Sequence, residues 1–320
     1  MAARINQAIA RLEEDRAIYY VGEHCGHVLT YEAGRADART WADYISVGME
    51  HGAFDMTGLA AYMRGLGDGG PTAGGQRMPA VIVEAPVRGI DEATIRYNAW
   101  QFRQILAQGV HGILLCQAES ADAVRVFVES CRYPHQLKGV DPALPAPLER
   151  MRGAVCQLPG LGADGRKLLG VGTRGRGSEK TVASVWDIPP AEVLERADVW
   201  PLNPAGELLL GVKIESPEGV ANCDQIVAVP GLGFAEIGPG DLGLSLGHTA
   251  IRINPYSPDL QEARDRIIAA CRRNRLAFLE VCTPENIAAR IDEGVRVVAG
   301  QNEETARIGR AHQQRRAGGG

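Results

Sequence analysis

The chain has 320 residues, of which 45% are hydrophobic and 23% are charged, and its formal net charge is -5. This is an ordinary globular composition, and its slight acidity gives no reason to expect a nucleic-acid partner. No apolar run reaches the length of a membrane span, and the charged N-terminus lacks the apolar segment of a signal peptide. The seven cysteines are scattered without a Cys-x-x-Cys pair, which is typical of buried thiols in a reducing cytosol. We therefore expect a cytoplasmic protein with no membrane partner.

The first 132 residues alternate apolar runs of strand length with amphipathic helical segments. Polar residues follow two of the strand ends, with His24 and His27 after the first and Glu50-His51 after the second. Loops after barrel strands carry function, so both places are candidate sites. Helices are predicted at 3–14, 57–66, 91–108 and 120–132, and strands at 17–22, 80–84 and 112–116, with an ambiguous helix-to-strand passage at 40–49.

Residues 133–180 interrupt this alternation with a stretch rich in proline and glycine. An insertion of this length in a compact domain is expected to be functional or flexible. It ends in a Gly-x-Gly-x-x-Gly match at Gly170–Gly175, but a dinucleotide site also needs a preceding strand, a helix from the last glycine and an acid about 20 residues on. The flanking sequence provides these poorly. We favour an arginine-bearing loop, with Arg174 and Arg176, that contacts an anionic substrate or another subunit.

Two apolar runs of strand length in the second half each end in a carboxylate, Glu215 and Asp241. The 26 positions that separate them accommodate one helix and one strand, so a parallel sheet would place both acids at the C-terminal ends of neighbouring strands. Like charges this close are costly, and a divalent cation such as Mg²⁺ or Mn²⁺ would resolve the conflict. An acid here would otherwise cap the following helix, but Ser216 already fills that role.

The remaining elements complete seven or eight strand–helix units, which favours a single (β/α)₈ TIM barrel over residues 1–320 rather than a doubly wound sheet. The 133–180 segment would then be an insertion, a lid or an oligomer arm. The last residues, 310–320, are expected to form a disordered tail. Further helices are predicted at 191–197, 257–275 and 283–293, and further strands at 277–280 and 295–299.

Three motifs together resemble the HpcH/HpaI aldolase family, which consists of class II, metal-dependent pyruvate aldolases of the phosphoenolpyruvate/pyruvate barrel superfamily. The motifs are Lys213-Ile-Glu215-Ser-Pro-Glu-Gly, Ile237-Gly-Pro-Gly-Asp241-Leu and Glu50-His51-Gly. The resemblance covers residues 40–130 and 205–300. It implies that Glu215 and Asp241 bind a divalent metal, Mg²⁺, Mn²⁺ or Co²⁺. It also implies a homo-oligomer, commonly a hexamer built as a trimer of dimers, with a C-terminal segment exchanged between subunits.

The same resemblance implies His51 as the acid/base residue and the backbone of Gly238, Pro239 and Gly240 as the holder of the substrate carboxylate. Three positions depart from the family pattern. Gly48 replaces an aspartate that orients the histidine, Glu84 replaces a substrate-binding arginine, and Lys213 replaces a glutamine. Arg88, or Arg174 or Arg176, would supply the missing guanidinium. The candidate substrate-binding residues are Gly238, Pro239, Gly240, Gln117, Arg176 and His24.

The implied reaction cleaves a 4-hydroxy-2-oxo acid to pyruvate, or a related 2-oxo acid, and an aldehyde, as in aromatic catabolism. His51 would take the proton of the C4 hydroxyl, and Arg88 and Lys213 would stabilise the enolate. Three alternatives stay open. One is an acyl-CoA lyase, decarboxylase or hydratase-lyase that uses 133–180 as a lid and Arg174, Arg176 and Lys180 as a basic patch. The others are an NAD(P)-dependent oxidoreductase that uses Gly170–Gly175, and an inactive barrel that serves as a binding module.

Overall fold

A computed structural model describes residues 3–154, 158–250, 255–300 and 302–318. Its strands are β1 (Ile18–Glu23), β2 (Tyr44–Gly48), β3 (Ala80–Arg88), β4 (Gly112–Cys116), β5 (Val199–Trp200), β6 (Leu208–Ile214), β7 (Phe234–Ile237), β8 (Ala277–Val281) and β9 (Val295–Ala299). All strand pairings are parallel. Eight strands close into a barrel in the order β1-β2-β3-β4-β6-β7-β8-β9, and the two-residue β5 adds to the start of β6. The predicted (β/α)₈ barrel is confirmed.

Fourteen helices surround this barrel in the described residues, and none is long and apolar enough to cross a membrane. Side chains of Asp55, Asp91, Ser120 and Ser216 each accept a backbone N–H at a helix start, as their residue types predict. The helices are α1 (Gln7–Glu13), α2 (Tyr31–Asp37), α3 (Met56–Gly69), α4 (Glu92–Ala107), α5 (Ala121–Cys131), α6 (Pro147–Met151), α7 (Glu179–Trp186), α8 (Pro190–Arg196), α9 (Pro217–Ala221), α10 (Cys223–Val227), α11 (Pro239–Ser245), α12 (Pro258–Asn274), α13 (Ile287–Asp292) and α14 (Glu303–Gly318).

The barrel interior is apolar towards the N-terminal ends of the strands and polar towards their C-terminal ends. The apolar part is a single cluster that includes Ile82, Leu209 and Phe234, and Ala8 and Ile9 of α1 belong to it, so α1 packs against this end of the barrel. Side chains two positions apart on a strand point the same way. The inward-facing residues therefore change from apolar to mostly charged along each of these strands, as from Ile82 to Glu84 and from Phe234 to Glu236. Charged side chains are therefore concentrated at the C-terminal end, where TIM-barrel enzymes keep their chemistry.

The segment predicted as an insertion packs along the outside of α5. Lys167 reaches Asp122 at the start of α5, and the Gly170 N–H donates to Glu129 near its end. Two isolated bridges, Val140 with Leu169 and Leu161 with Lys167, give it local order. These contacts describe residues 133–154 and 158–180, and the role of the segment as a lid or an oligomer arm stays a prediction.

The C-terminal residues are not a disordered tail as predicted, because α14 continues through 310–318. Polar contacts to the barrel explain the order. Arg310 donates to Asp43, Gln313 accepts the Ala17 N–H, and His312 and Arg316 both pair with Asp292. Composition alone suggested a loose end, whereas these contacts come from residues far apart in sequence. Residues 319–320 lie outside the described part.

Candidate active site

Three predicted site residues and one sequence neighbour lie together at the C-terminal end of the barrel. Glu50 and His51 follow β2, Glu215 follows β6, and Asp241 lies in the first turn of α11 after β7. Ligand atoms of Glu50, His51 and Asp241 lie within 4.8 Å of one another, and so do those of Glu50, Cys116 and Glu215. Glu50 thus joins the two acids that the sequence analysis paired.

The Glu215 side chain is held by the main chain around it. The Gln117 N–H donates to Glu215 Oε1 at 2.8 Å, from a residue with φ of +47°, a left-handed conformation that is uncommon outside glycine. On the other side, a Cβ placed on Gly238 would lie 2.1 Å from Glu215 Oε2. Position 238 therefore has to be glycine for the carboxylate to lie where it does.

The charge balance at Glu215 fits a divalent cation. The residue is 2% exposed, and burial raises the pKa of its carboxyl to about 9, against the opposing effect of Lys213 and with Glu50 adding to the rise. A buried carboxylate in this state lacks charge compensation, which a bound metal would supply. The oxygen atoms of Glu50, Glu215 and Asp241 are hard donors of the kind that Mg²⁺ and Mn²⁺ prefer.

Lys213 points into the barrel and bridges two acids. Its Nζ donates to Glu50 Oε2 at 2.8 Å and to Glu84 Oε2 at 3.1 Å, and the residue is 5% exposed. Burial opposes the charge on the ammonium, but the surrounding acids, led by Glu236, raise its pKa above the ordinary value. Lys213 is therefore a permanent cation beside Glu50.

Glu84 connects Lys213 to His24. Ser46 Oγ donates to Glu84 Oε1 at 2.8 Å, and His24 Nδ1 lies 2.9 Å from Glu84 Oε2. Burial opposes ionisation of Glu84, but the hydrogen bond from His24 and the charge of Lys213 outweigh it and hold the pKa of the carboxyl low. An ionised carboxylate only accepts hydrogen bonds, so the proton on the His24 ring lies at Nδ1. The other ring nitrogen, Nε2, lies 3.2 Å from the Tyr20 hydroxyl.

Glu236 is the third acid around Lys213, and it occupies the register position beside Lys213 on β7. Its Oε2 is buried without a hydrogen-bond partner among the described residues. Burial raises the pKa of Glu236, with Glu84 adding to the rise and Lys213 opposing it. The raised pKa is consistent with a single lysine that already pairs with Glu84 and Glu50.

The other predicted site residues fall in different places. Gly238, Pro239, Gly240 and Gln117 lie beside the acids, and Gln117 contributes its backbone to Glu215. Arg88 ends β3 with its side chain 59% exposed and its nearest ionic partner, Glu119, at 3.9 Å. The structure does not bring it into contact with the acids.

The predicted basic loop of the insertion does not form a basic patch at the site. Arg174 is 3% exposed, lies 4.6 Å from the centre of the Tyr133 ring and donates to the Leu106 carbonyl at the end of α4. Arg176 is 84% exposed and pairs with Glu179. Arg174 is thus a structural residue, which is a correction to its role as a substrate contact, and no contact of Arg176 with the acids is shown.

The Gly170–Gly175 motif also lacks the surroundings of a dinucleotide site. Among the described residues before it, Leu169 forms only an isolated bridge, and the next helix, α7, begins at Glu179. Gly172 is instead a packing residue, because a Cβ there would lie 2.5 Å from the Arg132 carbonyl.

Sequence reasoning missed three members of the site: Cys116 and Glu236 as inward-facing residues, and Glu84 as a partner of His24 and Lys213. A signal was present. Each lies two positions after an apolar residue of the interior cluster, so strand alternation predicts that all three point inward. The apolar residues concerned are Leu114, Phe234 and Ile82.

Comparison with known proteins identifies the family of the chain. Residues 83–301 match the HpcH/HpaI aldolase/citrate lyase family. A hydroxypyruvate/pyruvate aldolase of Pseudomonas aeruginosa is 28% identical over 248 residues, which are 78% of this chain and 69% of that protein. A 4-hydroxy-2-oxo-heptane-1,7-dioate aldolase of Escherichia coli is 27% identical over 59% of this chain and 55% of its own length. The chain therefore spans about half of the second relative and somewhat more of the first.

Solved structures show the same fold. A HpcH/HpaI aldolase/citrate lyase family protein from Burkholderia cenocepacia J2315 superposes with a TM-score of 0.64 at 21% identity, over 98% of this chain and all of that one. A HpcH/HpaI aldolase from Desulfitobacterium hafniense DCB-2 superposes with a TM-score of 0.62 at 18% identity, over 97% of this chain and 95% of that one. Because the family match covers more than half of the sequence, the chain belongs to the HpcH/HpaI aldolase/citrate lyase family of divalent-metal-dependent aldolases and lyases.

Proposed function

We propose that the chain cleaves a 4-hydroxy-2-oxo acid to pyruvate, or a closely related 2-oxo acid, and an aldehyde, with Mg²⁺ or Mn²⁺ held by Glu215 and Asp241. The observation that carries the proposal is the meeting of Glu50, His51, Glu215 and Asp241 at one end of the barrel. The names of the relatives in Pseudomonas aeruginosa and Escherichia coli support the reaction class. The bound metal would supply Lewis acidity that lowers the cost of enolate charge.

His51 is suited to remove the proton of the C4 hydroxyl. Its side chain is 46% exposed, and its Nε2 lies 3.6 Å from both Glu50 Oε2 and Asp241 Oδ2. The exposure of the imidazole and its position beside two acids support this role, because the hydroxyl of a bound substrate could approach it from solvent. General-base removal of that proton starts the cleavage of the C3–C4 bond.

Lys213 contributes fixed positive charge rather than a nucleophile. An amine that attacks a carbonyl has to be neutral, and Lys213 donates hydrogen bonds to Glu50 and Glu84 as a buried cation. A covalent lysine mechanism is therefore not what this site supports. The ammonium stabilises negative charge that develops on the substrate nearby. Arg88 would join it only through a movement of its exposed side chain.

The test is hydrogen–deuterium exchange at the methyl group of pyruvate in D₂O, followed by NMR. We expect exchange that needs Mg²⁺ or Mn²⁺ and stops on addition of EDTA. Glu215→Gln should abolish exchange and weaken metal binding in a direct calorimetric titration. Glu218→Gln is the matched control, because Glu218 is an exposed acid in the first turn of α9, three residues further on.

Absence of exchange with pyruvate and with other 2-oxo acids, in protein shown to bind the metal, would contradict the proposal. Binding of NADH in a titration would instead favour the oxidoreductase alternative. The hexameric assembly, the exchanged C-terminal segment and the cytoplasmic setting stay predictions, and sedimentation of the purified protein would test the first of them.

A further inference from the structure

His24 and Glu84 form an acid–base pair that the reaction as described above does not use. The two ring nitrogens of His24 have different partners, Glu84 at Nδ1 and the Tyr20 hydroxyl at Nε2. A carboxylate that accepts from Nδ1 fixes the tautomer and the orientation of the ring. The ring is nevertheless 44% exposed at the barrel mouth, so a ligand there can replace the 3.2 Å contact with Tyr20.

The pair is continuous with the candidate metal site through Lys213. Glu84 Oε2 accepts from both His24 and Lys213, and Lys213 also donates to Glu50. His51 Nε2 lies 3.6 Å from the same Glu50 oxygen. The imidazoles of His24 and His51 therefore lie at the two ends of one chain of contacts that runs through Glu84, Lys213 and Glu50.

Glycine residues bring the loop that carries His24 to this position. A Cβ on Gly48 of β2 would lie 2.1 Å from the His24 carbonyl oxygen, so only glycine lets the loop after β1 cross the end of β2. Gly26 and Gly52 allow a second close approach, with 2.6 Å between a Cβ built on Gly52 and the Gly26 Cα. The local sequence is thus adapted to place His24 over β2 and beside Glu84 on β3.

Cleavage of a 4-hydroxy-2-oxo acid moves protons at two different atoms. One leaves the C4 hydroxyl as the C3–C4 bond breaks and its electron pair passes into the enolate. Another is added to C3 when the enolate becomes the product 2-oxo acid. Because the two transfers occur at different atoms, a separate acid–base group can serve each of them.

We propose that His24, oriented by Glu84, is the catalytic residue that gives the proton to C3 and removes it in the reverse direction, while His51 serves the C4 hydroxyl. His24 then recovers its proton from water and His51 releases one, so that protons balance over the cycle. This inference rests on the proposed function and assigns a separate acid–base group to its second half.

The titration of His24 gives the proposal a signature. The hydrogen bond to Glu84 raises the pKa of His24, burial lowers it, Glu236 raises it and the Lys213 cation lowers it. Tyr20 faces the ring as a neutral phenol, because burial raises the pKa of its hydroxyl. Exchange of the pyruvate methyl group needs neutral His24, so its rate should rise with pH through the pKa of this residue. Removal of the Glu84 charge should move that rise to lower pH.

The experiment compares wild type, His24→Gln and Glu84→Gln with Mg²⁺ and pyruvate in D₂O. We expect methyl exchange to fall by about 100-fold or more in His24→Gln, the range that general acid–base groups contribute. In Glu84→Gln the pH profile of exchange should shift to lower pH. Mg²⁺ affinity, measured by calorimetry, should be unchanged in His24→Gln. His312→Gln is the matched control. His312 also pairs with a carboxylate, since its Nε2 lies 2.9 Å from Asp292 Oδ1, but this pair is on α13 and α14 and not at the site.

The outcomes separate the two proposals. If wild type exchanges and His24→Gln exchanges at the same rate with the same pH profile, the role of His24 is refuted and the aldolase proposal stands. If metal-loaded wild type does not exchange at all, the aldolase proposal fails and this inference fails with it. Thermal unfolding followed by circular dichroism tests whether each variant is folded. If Glu84→Gln does not fold, the exchange rate and pH profile of His24→Gln are sufficient to test the role of His24.

Discussion

At the scale of single residues, the central feature is one lysine among several acids. Lys213 pairs directly with Glu84 and Glu50, and burial raises the pKa of Glu236 beside them to about 7. A buried charge that loses its partner costs far more than an exposed one. The charges in this layer are consequently interdependent, and each substitution should be judged with its partners.

Replacement of Lys213 should therefore destabilise the protein strongly. We expect Lys213→Met to lower the free energy of unfolding by about 3–5 kcal/mol, because Glu84 and Glu50 would be left buried without a cation. The double variant Lys213→Met, Glu84→Gln should recover part of that loss. Urea unfolding measures both. Arg307→Met is the control, since its pair with Glu304 is exposed and worth about 1 kcal/mol or less. An equal loss of unfolding free energy in Lys213→Met and Arg307→Met would contradict the stabilising role of the buried Lys213 contacts.

The sequence predicted the residues of this site more readily than their partners. Glu215 and Asp241 were found because strand-end acids at a spacing of one helix and one strand are a local pattern. The contact of Lys213 with Glu84 joins positions 129 residues apart, and no local pattern specifies it. The departures at Gly48, Glu84 and Lys213 were visible in the sequence as separate substitutions. That all three surround the same cluster of charged residues is visible only once the barrel is closed.

At the scale of elements, the loops after β1 and β2 have to be considered together. Gly48 lies at the end of β2, and the sequence analysis treated it as the loss of an orienting side chain. The structure gives it a positive role, since the His24 carbonyl occupies the space that a side chain would need. A loop and the end of its neighbouring strand thus form one unit, which strand-by-strand prediction does not represent.

Gly48→Ala tests that unit. A Cβ 2.1 Å from the His24 oxygen has to displace the loop, and we expect a loss of about 1–3 kcal/mol in the free energy of unfolding, as overpacking costs elsewhere. The NMR titration of the His24 ring should change as well, because its distance to Glu84 would increase. Gly175→Ala is the control, because a Cβ there meets nothing within 4 Å. An unaltered His24 titration would show that the close approach is not needed.

At the scale of the whole molecule, the barrel divides its tasks between its two ends. The end covered by α1 is apolar and contributes stability, and the opposite end concentrates buried charge. The alternation of strands and helices was sufficient to predict this closed architecture. The path of the insertion along α5 and the order of α14 were not predictable, because both depend on ion pairs between distant residues such as Arg316 and Asp292.

The metal-free protein should lose stability as the pH rises. In the folded state Glu215 has a pKa of about 9, and in the unfolded chain its ordinary value is 4.5, so between these values only the folded state keeps the proton. The free energy of unfolding should therefore fall across this window. The Mg²⁺ of the proposed function would bind the deprotonated site, so its stabilising effect should be larger at about pH 8.5 than at about pH 5. Thermal unfolding with EDTA and with Mg²⁺ measures this, and a pH-independent metal effect, or its persistence in Glu215→Gln, would contradict it.

The backbone hydrogen bond from Gln117 to Glu215 has a consequence for redesign. The Glu215 carboxylate is positioned by an N–H that every residue except proline possesses, and the left-handed conformation at 117 is one that asparagine and glycine also adopt. The identity of the side chain at 117 is thereby separated from the placement of the carboxylate. Under the proposed function, libraries at this single position should leave the affinity for the metal constant, which makes position 117 the natural first choice for altering selectivity.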